Sequence, residues 1–253
     1  MLAVRDFHPS KRMEYWCAYF AAKPFLASSC GDEPGEGGGG KYCINFNQFD
    51  CVAFANTALA LAHSSSYDQF EKRYLALRYN GGISYCSRNH FIEQWYINNV
   101  VRKNILSPLP YDVFPPEFKR TMDFDFDNIQ WIKERGGEEM RSLPASFVDS
   151  HYRFKLSAPV FCVGTMFSAV RRSGLMTGPF FRQHSYLSNL KSGNVLVFIW
   201  NGMIHLGIII ANKGTPEVFS ASSIKGKVTS FDLVHYLNLL HTMRVVKYVS
   251  FLG

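Results

Sequence analysis

The sequence predicts an α+β fold, with N-terminal helices packed on a mostly antiparallel C-terminal sheet. Two observations carry this. An apolar run of helix formers at 51–62, CVAFANTALALA, follows Asp50, a good N-cap residue, and reads as a helix buried on nearly every face. Short β-branched or apolar runs at 195–200, 206–211, 217–220 and 227–229 are separated by Asn-Gly and Lys-Gly turn signals and read as strands.

The remaining elements follow in order. Residues 11–22 read as a helix of mixed character. The stretch 28–47 is irregular and holds a glycine tract at 37–40. Within it, Gly35 to Lys41 fits a phosphate-cradling G-x-x-x-x-G-K. Tyr42 stands where that loop needs Ser or Thr for magnesium, so a nucleotide site is rejected. Ser66 and Gln69 form a capping box that opens a helix running to about Tyr79, and Asn80-Gly81-Gly82 turns the chain. A third helix is expected over 89–99. Residues 105–127 carry Pro108, Pro110, Pro115 and Pro116 and read as a surface excursion, with short elements from there to about 190. A helix opens near Ser230, and 245–251 closes the chain as a strand. The expected organisation is one domain, 1–253, with an irregular insertion around 105–190.

Composition narrows the class. At 47% hydrophobic and 15% aromatic residues the chain is globular, not disordered. A net charge of +7 favours anionic partners, yet Lys and Arg are scattered, and a soluble basic surface explains them equally well. The N-terminus shows no secretory signal, and no apolar run is long enough for a membrane span. Cys17, Cys30, Cys43, Cys51, Cys86 and Cys162 form no C-x-x-C pair and no zinc-type cluster. The alternating Asp123, Asp125 and Asp127 lack the glycine and distal Glu of a calcium loop and read as a solvated acidic loop. No nucleic-acid motif is present.

Two residues carry a chemical reading together that neither carries alone. Cys51 stands at the first turn of the predicted buried helix, where backbone N–H groups and the helix dipole favour a thiolate. His205, in Asn201-Gly202-Met203-Ile204-His205-Leu206-Gly207, places an imidazole in an otherwise apolar hairpin, and Gly207 allows another backbone to approach. The pair fits a nucleophile and its base across a cleft. His90 is the alternative base, with Arg88 beside it as a clamp for a substrate carboxylate. Against these stand a plain buried cysteine, a turn histidine, and helix capping by Asn89. His8, His63, His151, His184, His235 and His241 have no patterned company and are read as surface or packing residues.

Six segments in order give a family resemblance. They are Phe49-Asp50-Cys51-Val52-Ala53-Phe54, Arg78-Tyr79-Asn80-Gly81-Gly82-Ile83, Ser87-Arg88-Asn89-His90-Phe91, Lys191-Ser192-Gly193-Asn194-Val195-Leu196, Ile204-His205-Leu206-Gly207-Ile208 and the run from Ala221 to Val228. Together the chain resembles the N-acetylmuramoyl-L-alanine amidase-like proteins, a bacterial branch of the NlpC-type papain-like cysteine hydrolases. The resemblance implies a papain-like fold and cleavage of an amide bond in peptidoglycan or muropeptide fragments, foremost that between N-acetylmuramic acid and L-alanine. It implies Cys51 as nucleophile and His205 as base, with Asp50, Ser87, Arg88 and His90 along the substrate cleft. Where the family usually has His-Ala-Ser this chain reads Ser220-Ala221-Ser222. Ser220 thus stands in the imidazole-orienting place, with Asn212 or Glu217 as alternatives. Asn194 stands where Asp is common. No metal or organic cofactor is implied. The chain is expected to act in the periplasm or outside a bacterial cell. A stem-peptide endopeptidase, a secreted toxin-like effector with an immunity or inhibitor protein as partner, and an inactive binder keeping the fold are the other readings.

Overall fold

The computed structural model describes residues 4–27, 42, 44–109, 119–163, 189–211 and 216–253. Helix α1 spans Pro9–Phe20, with Pro at its first turn and His8 as N-cap. Helix α2, Cys51–Ala62, begins where the sequence says it should: the Asp50 carboxylate accepts the Ala53 N–H at 2.7 Å, satisfying a donor that the first turn would otherwise leave open. All its residues from Ala53 to Ala62 are buried, so α2 is the axis of the helical layer. Helix α3, Tyr67–Arg78, is capped by Ser66, whose hydroxyl accepts the Gln69 N–H.

The third predicted helix is shorter and less regular than expected. Helix α4, Ile92–Tyr96, opens late because the Gln94 side chain accepts the His90 and Phe91 N–H groups. A π-helical turn, Ile97–Arg102, follows at once. That wider turn brings Asn98 and Asn99 inward together, where Asn99 donates to the Leu77 carbonyl at 2.9 Å and Asn98 donates to Asn89.

Among the described residues seven strands form one antiparallel sheet in the order β1-β2-β7-β3-β4-β5-β6. They are β1 (Lys119–Asp127), β2 (Arg153–Cys162), β3 (Val195–Ile199), β4 (Met203–Ile210), β5 (Glu217–Ser222), β6 (Lys227–Asp232) and β7 (Tyr248–Leu252). Side-chain alternation splits β3 between two cores. Val195, Val197 and Ile199 pack with α1, α2 and α3, while Leu196 and Phe198 pack with helix α8, Leu233–Thr242. The sheet is therefore covered on both faces. Burying residues such as Phe54 and Phe70 contributes about 2–3 kcal/mol each.

The middle of the chain departs from the expected irregular excursion. Residues 119–127 are a nine-residue edge strand, and α5 (Ile129–Arg135), α6 (Gly137–Ser142) and α7 (Ala145–Tyr152) lead into β2. Asp123, Asp125 and Asp127 are the exposed face of that strand, not an acidic loop. Asp127 pairs with Arg153 at 2.9 Å and Ser157 donates to Asp123. The glycine tract at 37–40, Cys30, Cys43, His184 and Asn212 lie outside the described residues. Among the described residues Cys17, Cys51, Cys86 and Cys162 are free thiols, no cluster of side chains could hold a metal, and no helix is long and apolar enough to cross a membrane.

Candidate active site

The N-terminus of α2 meets the start of β4, and a cleft of about 410 Å³ opens where they meet. Asp50, Cys51, Arg78, Arg88, His90, Glu93 and His205 all line it. Two strong local preferences put Cys51 there: the Asp50 cap fixes the first residue of the helix, and the apolar body of α2 pins that helix in the core. A bulge at Phe198/Ile199 precedes the turn into β4, where His205 pairs with Phe198. Gly207 sits beneath: a methyl there would collide with Val218 and come within 3.3 Å of the Phe219 carbonyl oxygen. The close approach read from the sequence at Gly207 is present.

The surroundings of the sulfur pull in two directions. Burial pushes the Cys51 thiol up to about 12, and the neighbouring Asp50 charge adds to this. The backbone N–H groups of Leu206, Cys51 and Val52 point at the sulfur and work the other way. Burial outweighs them, and it also lowers His205 to about 4. Both shifts favour a neutral thiol and a neutral imidazole. The three amides nonetheless form a preorganised set of donors for negative charge.

Behind His205 stands Ser220. Its hydroxyl donates to the Leu206 carbonyl at 2.9 Å, so its oxygen accepts the hydrogen bond from His205 Nε2–H. That arrangement fixes the tautomer and leaves Nδ1 as the basic nitrogen. Phe198 packs against the ring at 5.6 Å between centroids. Glu217 cannot take this orienting place. It pairs with Ile210, about 17 Å along β4 from His205. Asn194 belongs to the turn before β3, where its side chain accepts the Lys191 N–H, and it does not line the cleft.

His90 is corrected as an alternative base. Its Nε2–H donates to the Tyr85 carbonyl at 2.8 Å, and its Nδ1 accepts from the Arg88 guanidinium at 3.1 Å. Both ring nitrogens are thus engaged by hydrogen bonds, and burial and the Arg88 charge hold the ring well below the usual imidazole range. Ser87 is corrected too. Its hydroxyl is turned into its own loop, donating to the Gly82 carbonyl and bonding Ser84, and it does not line the cleft.

Sequence reasoning missed four contributors. His151, read as a surface or packing residue, is fully buried; its Nε2–H donates to the Arg88 carbonyl at 3.1 Å, and burial lowers it to about 4. Tyr152 donates to the Cys86 carbonyl at 2.7 Å, so the end of α7 holds the loop that carries Arg88. Glu93 accepts the Met203 N–H at 2.8 Å, tying α4 to the start of β4 two residues from His205. Arg78 is buried yet lines the cleft. No spacing rule would have joined His151 to Arg88, because that bond spans 63 positions.

The fold is a mixed α+β arrangement, with helices packed on an antiparallel sheet, and it resembles solved amidase-like structures. Residues 15–132 match the family model AmiA-like, described as N-acetylmuramoyl-L-alanine amidase-like, and the resemblance read from the sequence to that amidase-like family holds. The matched segment carries Cys51, Arg78, Arg88 and His90 and ends before strand β4, which carries His205. None of the curated proteins compared matches the chain. Among solved structures, a Legionella pneumophila protein of the DUF1460 family has 20% identity and a TM-score of 0.74, covering 96% of this chain and 88% of that one. An N-acetylmuramoyl-L-alanine amidase from Bacteroides uniformis has 17% identity and a TM-score of 0.65 over 96% of this chain and 98% of its own. A Bacteroides fragilis protein named as a xylanase has 21% identity and a TM-score of 0.64, over 94% and 98%. At these identities the likeness is one of fold.

Proposed function

We propose that the chain is a cysteine-dependent hydrolase of papain-like, NlpC type that cuts an amide bond in peptidoglycan or its muropeptide fragments outside the bacterial cytoplasm, foremost the bond between N-acetylmuramic acid and L-alanine. One observation carries the reading: Cys51 at the start of α2 shares a cleft with His205, whose ring is oriented by Ser220, and the Leu206 N–H points at the sulfur.

The chemistry follows from the resting protonation states. His205 Nδ1 takes the thiol proton as sulfur attacks the carbonyl carbon, so charge develops only in the transition state. The amides of Leu206, Cys51 and Val52 then face the new negative charge. The imidazolium returns its proton to the leaving amine nitrogen, the C–N bond breaks, and a thioester remains on Cys51. Water, deprotonated by His205, hydrolyses that thioester and releases the carboxylate.

Glycoside cleavage is the less favoured reading. It needs two carboxylates set across the scissile bond. The carboxylates of the described cleft, Asp50 and Glu93, already accept the Ala53 and Met203 N–H groups. Mass spectrometry of muropeptides incubated with wild type and with Cys51→Ala separates the readings. Free stem peptide from wild type alone is the expected result. Shorter peptides would make it an endopeptidase, and cleaved glycan would overturn the assignment.

A further inference from the structure

A second cavity, of about 800 Å³, lies at the other end of α2 and has no part in the proposed chemistry. Leu59 and Ala60, on the last turn of that helix, line it, whereas Cys51 is the first residue, about 13 Å away along the axis. Its inner walls are apolar. Met13 of α1, Leu59 and Ala60 of α2, Leu77 of α3 and Leu106 form them, and all five are buried. Gly253 closes one side, its main chain exchanging N–H donors with that of Ser107 at 2.8 and 2.9 Å.

The charged side chains of the described lining are all basic. Lys72 and Arg73 share one face of α3 with Gln69 and Ala76, by their spacing of three and four, and Lys191 comes from the turn before β3. His8 and His63 complete the rim, and no Asp or Glu is among the described lining residues. Among the described residues Lys72, Arg73 and Lys191 make no ion pair. Glu14 of α1 is committed to Lys11 and to the Ser192 hydroxyl. Arg12 stands behind the wall at 8% exposure. Its Nη1 donates to the Ser64 carbonyl at 2.8 Å, and its Nε has no hydrogen-bond partner among the described residues. Burial lowers the His63 imidazole, and the charges of Arg73, Arg12 and His8 lower it further, so the field at this wall is positive. Pro9 and Ser10 add the N-terminal, positive end of the α1 dipole. A buried cation with no counter-charge costs free energy, and an anion in the cavity offsets that cost.

We propose that this cavity binds a single-tailed amphiphile with an anionic head, its apolar tail against Met13, Leu59 and Leu77 and its carboxylate or phosphate among Lys72, Arg73 and Lys191. Apolar walls with a few polar groups, enclosing about 300–1,000 Å³, are what small-molecule sites share. A sugar or a peptide would leave many polar groups unpaired against the inner walls. An uncharged lipid would leave the positive rim unanswered. The site is independent of the hydrolase reading above.

The test is calorimetry of the full chain with decanoate, decyl phosphate, decanol and inorganic phosphate. Wild type is expected to bind the two amphiphilic anions about 10-fold tighter than decanol, with a gap that narrows as salt is raised, and inorganic phosphate more weakly still. Arg73→Gln combined with Lys191→Gln should weaken both amphiphilic anions by about 10-fold and leave decanol unchanged. Ala76→Trp, at an exposed position of the lining, should fill the cavity and abolish binding of the tailed probes, with circular dichroism showing that the chain still folds. Equal binding of decanoate and decanol, or binding that survives Ala76→Trp, would overturn the site. Inorganic phosphate bound as tightly as decyl phosphate would overturn the amphiphile in favour of a free anion. Binding to phosphatidylglycerol vesicles with none to decanoate would overturn it in favour of a membrane surface.

Discussion

At the scale of single residues, the site turns on how little a hydroxyl does and how much that suffices. Ser220 supplies one acceptor to His205 and spends its proton on the Leu206 carbonyl. It fixes the tautomer but contributes no charge to stabilise the imidazolium. Ser220→Ala is therefore expected to lower kcat by about 10-fold with little change in KM, because the interaction matters most when His205 carries the proton. An unchanged kcat would show that the ring is held by Phe198 packing alone. The resting states make a second prediction. His205 is lowered to about 4 by burial, so activity should persist well below the pH at which an ordinary histidine protonates and fall only as pH approaches 4. With the thiol near 12, no alkaline limb from Cys51 is expected below that value. A pH profile of kcat/KM with its acid limb near 6.5 would contradict this. Cys51 itself was legible because cap and helix are both local signals. Ser220 was legible only through its place in the family pattern, since a buried serine in a strand says nothing alone.

At the scale of elements, the site depends on how α2, α4 and β4 are held together. Asn56 on α2 accepts the Trp95 indole N–H of α4 at 2.7 Å, and Glu93 of α4 grips the start of β4. A Cβ added to Gly202 would meet the Glu93 carboxylate at 2.9 Å, so glycine is what lets the two approach. Glu93 thus positions His205 through the backbone. Glu93→Ala is expected to cost about 10-fold in kcat, and Glu93→Gln, whose amide oxygen still accepts the Met203 N–H, should recover most of it. Equal loss in both variants would point to the charge itself. Gly207→Ala should destabilise by about 1–3 kcal/mol in denaturant titrations, because Val218 and the β5 backbone leave no room. Helices α1, α2, α3 and α8 and the last five strands were readable from apolar runs, caps and turn residues. Strand β1 was not: its Asp–Phe alternation is a period-two signal, but the four nearby prolines favoured a loop. The π turn escaped because its cause, two asparagines bonding to distant partners, is tertiary.

At the scale of the whole molecule, the polar network behind the cleft couples the helical layer to the middle unit of the chain. His151 is its buried hub, and burial lowers it to about 4 from an unfolded value near 6.5. Between those values the unfolded chain binds the extra proton, so His151 contributes stability that is fully present above about pH 6.5 and is lost as pH falls toward 4. The contribution is on the order of 3 kcal/mol, and His90 and His205, lowered in the same direction, add to it. Denaturant midpoints should therefore drop markedly between pH 7 and pH 4.5, and a flat response would show that these rings are solvated. No sequence rule could reveal this network, since its members come from α3, α4, α7 and the loop between them. The most direct measurement of the central claim is intact-protein mass spectrometry of wild type quenched in acid during turnover of a muropeptide. The account predicts a transient acyl adduct mapped to Cys51, with neither adduct nor product in Cys51→Ala. Product formed at the wild-type rate by Cys51→Ala would contradict it.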